Sequence, residues 1–496
     1  MSKSDFYRLF TGGDGSIWEG SLESLAESRS DIPAGVPSDA DEAAQLEKQV
    51  AELKQRYEKD PEGVLKGLKE AFPPDPDDDE EDYRERIEEA LERTEDLEGT
   101  ELEAAAHAGL EAASLPSNFI DNIAAKYRHP GIQIDPNAFL FEDDSVLGIF
   151  GWVFFNGLQA AAVPRTNGEP NFRQLAKEKG QLFRSHIGKQ SGFQYRLDSP
   201  PAGQPLRIFL FADFGTGLAH SRYIARQLEV DRPACAVHLG DVYYTGTKKQ
   251  YFEYFREPLR NVVESDETKL FVIPDNHEGY SGFEGYVEFL DENRRRFPKT
   301  QEQEGSYFCV SGDHVQLIGV DTIWNSTKGH IGDPDVKAWL RQRLDEGRDN
   351  GRANVLLTGH HPYEYGKTTS EKLFSDVESL ADANLIDLWF WGNTHYCALF
   401  DRSQEFPFYG SCIGHGGYPY KKIKPGKPTP SKLLFLETGS RYEPTGIRSD
   451  RGMNGYCLLE VENDGRIRLK YMDWLGRERH SELFGRNGSE KHLTKQ

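Results

Sequence analysis

The sequence predicts an α/β protein whose strands are buried on both faces, and three observations carry that expectation. From Leu206 onward, short apolar runs alternate with helix-sized intervals: LRIFLFAD, ACAVHLGD, LFVIPDNHE, VQLIGVD, NVLLTGHH and LWFWGNTH. The runs are continuously apolar, the pattern of strands covered on both sides. Each stops at a residue able to bind a cation or a phosphate, and in parallel α/β sheets ligands gather beyond the carboxyl ends of the strands.

Taken in order, the chain begins with a polar, helix-forming segment, residues 1–115. Leu46, Val50, Leu53 and Tyr57 recur at helical spacing and make one apolar stripe. The breaker PPDPDDDE follows, and between Asp75 and Glu103 stand 16 acidic and 3 basic residues, a net of −13. This reads as a solvated, partly disordered acidic helical extension, or as a docking arm for a basic protein partner. Residues 116–205 mix apolar runs with turns, end in the linker-like LDSPPAGQP, and carry no motif that assigns a role. Within them VLGIFGWVFFNGLQAAAV is uncharged for 18 residues, the lower limit for a spanning helix. Its three glycines, its Asn and Gln and the acidic EDD before it favour a buried hairpin or core helix, so no membrane association is expected.

Bulk properties bound the function. With 496 residues there is room for two or more domains and a sizeable core. The formal charge of −23 argues against binding long nucleic acid or anionic lipid. Five cysteines show no CxxC spacing and four lie in strand-like stretches, which suits reduced thiols in a cytoplasmic setting. The amino terminus, MSKSDFYRLFTGGDGS, lacks the apolar run of a signal peptide.

The strand ends are the centre of the functional reading. Asp213 closes the first run and Asp241 the second; Asn276 and His277 close the third, His360 the fifth, and Asn393 with His395 the sixth. Singly, each is ordinary: Asp after a strand is commonly a turn residue or helix cap, and a lone His is commonly a core residue. ADFG alone would suit a kinase, but no Gly-rich loop or catalytic-loop segment accompanies it. Together the side chains face one crevice, and a mixture of Asp, Asn and His suits Zn, Mn or Fe without thiolate chemistry.

The order DFG, GDVYY, DNHE, GHH, GNTH resembles the calcineurin-like metallophosphoesterase superfamily over about residues 206–400. Gly215, with Tyr244 three residues after Asp241, is similar to the purple acid phosphatase variant. The resemblance implies a four-layer α/β/β/α sandwich over residues 206–480, followed by a polar tail, 481–496. It also implies two metal ions (Fe, Mn or Zn). Asp213, Asp241, Tyr244 and His395 would hold the first, and Asp241 as a bridge, Asn276, His360 and Asn393 the second. Such a pair clamps a phosphoryl group and acidifies water into a hydroxide nucleophile. The activity implied is hydrolysis of a phosphomonoester, on a small molecule or a phosphoprotein, with Asp241 bridging and His277 as the acid that protonates the leaving oxygen. A phosphodiesterase and a catalytically weak sensor of phosphate or nucleotide are the alternatives.

Two residues depart from the pattern: Asp275 stands where the family has Gly before Asn-His, and Asn393 where it has the first His of its last motif. Both fall on the second metal's side, and a carboxamide oxygen is a harder, weaker donor than imidazole, so a looser second metal is expected. Lys248, His361 and His415 are candidate substrate contacts beside His277, each against a plainer reading as a solvated lysine or a structural turn.

Overall fold

The computed structural model describes residues 59–62, 165–166, 169–170 and 193–496, apart from 217–218, 244–245, 247, 266, 281–282, 324–328, 419, 421, 442–450 and 487–491. Arg165–Arg441 and Asp450–Gln496 form one compact unit. The acidic segment 75–103, the apolar stretch 146–163 and Tyr244 lie outside the described residues.

A two-residue ladder pairs β1 (Arg165–Thr166) with β2 (Glu169–Pro170). The rest of the unit is built on two mixed sheets. One has eight strands in the order β13 (Leu433–Leu436), β11 (Cys397–Phe400), β12 (Tyr409–Ile413), β10 (Leu388–Trp391), β9 (Ala353–Thr358), β8 (Val315–Val320), β7 (Phe308–Ser311) and β3 (Gln194–Arg196). The other has seven: β17 (Thr494–Lys495), β16 (Glu478–Gly485), β15 (Ile467–Asp473), β14 (Gly455–Val461), β4 (Leu206–Phe211), β5 (Cys235–His238) and β6 (Lys269–Val272). All six apolar runs are strands. β4, β5 and β6 run parallel, as do β8, β9, β10 and β12.

Side chains alternate between the two faces of each strand, which accounts for the layering. Ile208 and Leu210 of β4, Val237 of β5 and Phe271 of β6 share one core with Leu317, Val355, Leu357 and Phe390 of the other sheet. The opposite face of the eight-stranded sheet presents Ile318, Leu356, Trp389 and Trp391 to Trp339 and Leu344 of the helix Pro334–Asp349 and to Leu373 and Val377 of the helix Lys372–Asp382. The opposite face of β4 presents Phe209, stacked on Tyr456, and Phe211, against Phe214 and Phe255. The architecture is thus the expected α/β/β/α sandwich. The helix Pro334–Asp349 starts where its sequence says it should: Asp333 accepts a hydrogen bond from Asp335 N, and proline occupies the first turn.

Three expectations need adjustment. Residues 481–496 are no detached tail, because β16 continues to Gly485 and β17 pairs with it. The fold also begins before Leu206, since β3 pairs in parallel with β7. All five cysteines, not four, are buried in strands, and all are free. No helix among the described residues is long and apolar enough to cross a membrane.

Candidate metal centre

Asp213 lies two residues beyond β4, Asp241 three beyond β5 and Asn276 four beyond β6, all in one sheet. His360 and Asn393 each lie two residues beyond β9 and β10 of the other. Parallel neighbours end on the same side, so these five ends converge. Asp213, Asp241 and Asn393 share a further property: their φ angles are +53°, +70° and +63°. Non-glycine residues seldom adopt this left-handed conformation, Asp and Asn tolerate it best, and such strain collects at functional sites. These turns therefore require the same residue types that the chemistry needs.

The contacts join the two sheets. Asp213 Oδ1 accepts from the Tyr243 hydroxyl at 2.6 Å, and its Oδ2 accepts from Asn393 N at 3.0 Å. His395 Nε2 lies 3.0 Å from the same hydroxyl and 3.4 Å from Asp213 Oδ1. Gly215 explains why Tyr243 reaches this point. A Cβ there would come within 2.9 Å of Val242, whereas glycine lets Tyr243 N bond Gly215 O at 2.9 Å and brings the phenol inward. Asp241 Oδ1 accepts from His277 N at 3.3 Å; its Oδ2 is buried with no hydrogen-bond partner among the described residues. The His277 ring meets the Tyr243 ring edge-on at 4.4 Å and is 3% exposed. His360 Nδ1 bonds Asp275 Oδ1, and Asn393 Nδ2 lies 3.4 Å from His361 Nδ1.

Behind this ring of ligand-type side chains sits Glu278. Its two oxygens accept from Val242 N, Asp241 N and Asp275 N at 2.9, 3.2 and 2.8 Å and from the Tyr251 hydroxyl at 3.0 Å. The bond to Asp275 N is the capping-box contact expected of an acidic residue three positions into a helix, here Asn276–Tyr280. One side chain thus ties the β5 turn to the β6 turn.

Acidic side chains crowd the buried turns. Burial pushes the Asp241 carboxyl well above the usual range, and Asp275, Asp213 and Glu278 push it further in the same direction. Burial also raises Asp275, against the opposing pull of His360, and moves Glu278 up to about 7. Packing carboxylates together away from water is unfavourable unless a cation compensates. The buried Asp241 Oδ2, without a hydrogen-bond partner among the described residues, has the donor chemistry to take one. The residues present therefore fit hard or borderline metal ions.

The other expected site residues are distributed unevenly. His361 lies against Asn393 and is held neutral, its pKa lowered to about 3 mainly by burial. With Glu364 and Glu371 it makes a second cluster of metal-type ligands, but the Lys367 ammonium already bridges the two glutamates. Lys248 is half exposed and ion-paired with Glu288 at 2.7 Å. His415 is 2% exposed, its pKa lowered to about 4 by burial, and its carbonyl accepts from Gly455 N and Asn454 Nδ2, so it braces a turn instead of facing an open crevice. Reading the sequence singled out Asp275 but not its pairing with His360, and it missed Tyr243 and Tyr418, whose ring stacks on His395 at 3.8 Å. Only Glu278 had a legible signal, its capping-box spacing.

Residues 206–397 match the family described as calcineurin-like phosphoesterase, the family that the strand-end motifs resemble. A metallophosphoesterase of Helicobacter pylori, itself uncharacterized, is 23% identical over 241 residues, covering 48% of this chain and 55% of that protein. The chain thus spans about half the length of the curated relative it matches. Among solved structures, a purple acid phosphatase from yellow lupin (Lupinus luteus) seeds aligns at 14% identity and TM-score 0.43, over 57% of this chain and 54% of that one. The anchor in the inner membrane complex of Plasmodium aligns at 15% and 0.41, over 56% and 88%. A dimetal phosphatase from Danio rerio aligns at 11% and 0.38, over 56% and 98%.

Proposed function

We propose that the protein is a metal-dependent phosphoester hydrolase acting on a phosphomonoester, and that its centre takes two cations. The observation that carries this reading is Asp241. It is fully buried, held at a left-handed φ, crowded by three other carboxylates, and keeps one oxygen with no partner among the described residues. A carboxylate so placed suits a bridge between metal ions. Asp213 and His395 would complete the first site, and Asn276, His360 and Asn393 the second. The phenol belonging to the first site is assigned to Tyr243, because its hydroxyl already lies between Asp213 and His395. The cations, when bound, neutralise a phosphoryl group and lower the pKa of water.

The chain's own residues do the rest. Asp241 fixes the backbone of His277 through its amide, and the Tyr243 ring supports the imidazole edge-on. The imidazole can then deliver a proton to the leaving alcohol oxygen, a contribution of typically ~10²–10⁴-fold. Glu278 keeps the turns bearing Asp241 and Asp275 in register, so acid and bridge keep their spacing. The substrate class is a small phosphomonoester or a phosphoprotein, in keeping with the net charge of −23. Elemental analysis of the purified chain, with turnover of an aryl phosphate against its diester, tests the reading. Two metal ions per chain and preferential monoester cleavage are expected; a metal-free chain inert toward both esters after metal supplementation would overturn it.

A further inference from the structure

We propose that Asp275 is a positioning residue for the second cation, a role that rests on the two-cation reading above: its carboxylate holds the His360 ring and supplies the buried negative charge that the neutral Asn393 lacks. The surroundings are shaped to admit this side chain. A Cβ at Gly240 would come within 2.6 Å of the Asp275 Cβ, and one at Gly359 within 2.5 Å of its Cγ. Two glycines, one beyond β5 and one beyond β9, therefore vacate the volume that one carboxylate fills. The carboxylate is fully buried. Its Oδ1 bonds His360 Nδ1, and its Oδ2 has no hydrogen-bond partner among the described residues.

The far edge of the ring is equally constrained. Gly329, at φ +64°, packs so closely that a Cβ there would lie 2.2 Å from His360 Cδ2. Imidazole gripped between a carboxylate and a glycine backbone has one tautomer and one orientation, with Nε2 left for a cation. A carboxylate bonded to the other ring nitrogen also makes such a ligand more basic, and losing it typically costs ~10–100-fold in metal affinity. Asn393 contributes no charge, and its Nδ2 faces His361. The two places where this chain departs from the motif it resembles thus act on one cation in opposite directions. Asn393 weakens the donor set, and Asp275 strengthens it through His360.

The test is calorimetric titration of the metal-stripped full chain with Zn²⁺, comparing wild type, Asp275→Asn, Asp275→Gly and the double variant Asp275→Gly/Asn393→His. Wild type should take two equivalents. Asp275→Asn keeps an oxygen for His360 but loses the charge; it should bind the first equivalent as wild type does and the second ~10–100-fold more weakly. The double variant should bind the second equivalent more tightly than Asp275→Gly, because the added imidazole offsets the lost carboxylate. Melting of each metal-free variant by circular dichroism keeps folding separate from binding, and Asp275→Asn should melt no lower than wild type, since it removes a buried charge. Unchanged second-site affinity in Asp275→Asn, or a double variant no better than Asp275→Gly, would overturn the role of Asp275 while leaving the two-cation reading intact. A wild-type chain taking fewer than two equivalents would remove both.

Discussion

Replacing Tyr243 by Phe deletes one oxygen, and the structure allows the cost to be worked out. That oxygen donates to the buried Asp213 Oδ1 at 2.6 Å. Hydrogen bonds to charged groups contribute ~1.5–3 kcal/mol. Among the described residues, Asp213 Oδ1 would keep His395 Nε2, at 3.4 Å, a poor substitute. A loss of about 2 kcal/mol in the metal-free protein follows, which at ~2–4 °C per kcal/mol lowers Tm by roughly 4–8 °C. If the phenol belongs to Tyr243, Tyr244→Phe should leave Tm within about 1 °C. Thermal melts of the three metal-stripped proteins decide between the residues. Iron loading adds a second readout, because phenolate ligation colours a ferric protein and Tyr243→Phe should bleach it. If Tyr244→Phe carries both the loss of stability and the loss of colour while Tyr243→Phe carries neither, the assignment of the phenol is refuted.

Other outcomes follow from the same geometry. His277→Ala should keep its full metal content by elemental analysis while kcat falls by on the order of 10²–10⁴; loss of metal would make His277 a ligand. Asp241→Asn should lose both cations yet raise the melting temperature of the metal-free chain, because a buried, crowded carboxylate is gone. A lowered apo Tm would argue against that crowding. Asp333→Ala removes the cap of the helix Pro334–Asp349 and should cost about 1 kcal/mol in chemical denaturation with metal binding unchanged.

The strand ends were legible because each is an apolar run closed by a polar side chain, a pattern confined to neighbouring residues. Asp213, Asp241, Asn276, His360 and Asn393 could therefore be located from the text of the sequence. What could not be read was pairing across distance. Nothing in the stretch around Asp275 announces that its carboxylate will meet His360, 85 positions on, because that contact depends on how two sheets face each other. Tyr243 and Tyr244 are adjacent and chemically identical, and only the Gly215–Val242 approach puts Tyr243 into the centre. Tyr418 was hidden for another reason. It enters from a glycine-rich turn, and its backbone N bonds Asp213 O at 3.2 Å, a contact with no side-chain signature. The last strands were cut short in the sequence reading: Glu478–Gly485 is mostly polar and only partly buried, so the stretch from residue 481 looks like tail.

The candidate centre draws its side chains from two separate sheets, and this has a consequence for how the chain matures. Asp213 and Asp241 stand on one slab of the sandwich and His360 and Asn393 on the other, so neither slab can assemble the pocket alone. Asp213 must wait for Asn393, emerging 180 residues later, before its Oδ2 is satisfied. On the proposed reading, cation capture would accordingly be a late event, possible only after the slabs have closed. On the proposed reading, an ion held by residues of both slabs would act as a rivet across the seam, and its binding free energy would count directly toward keeping the slabs together. A chelator should therefore loosen the seam itself, exposing the shared interior from the pocket end while the outer helices stay attached to their own slabs.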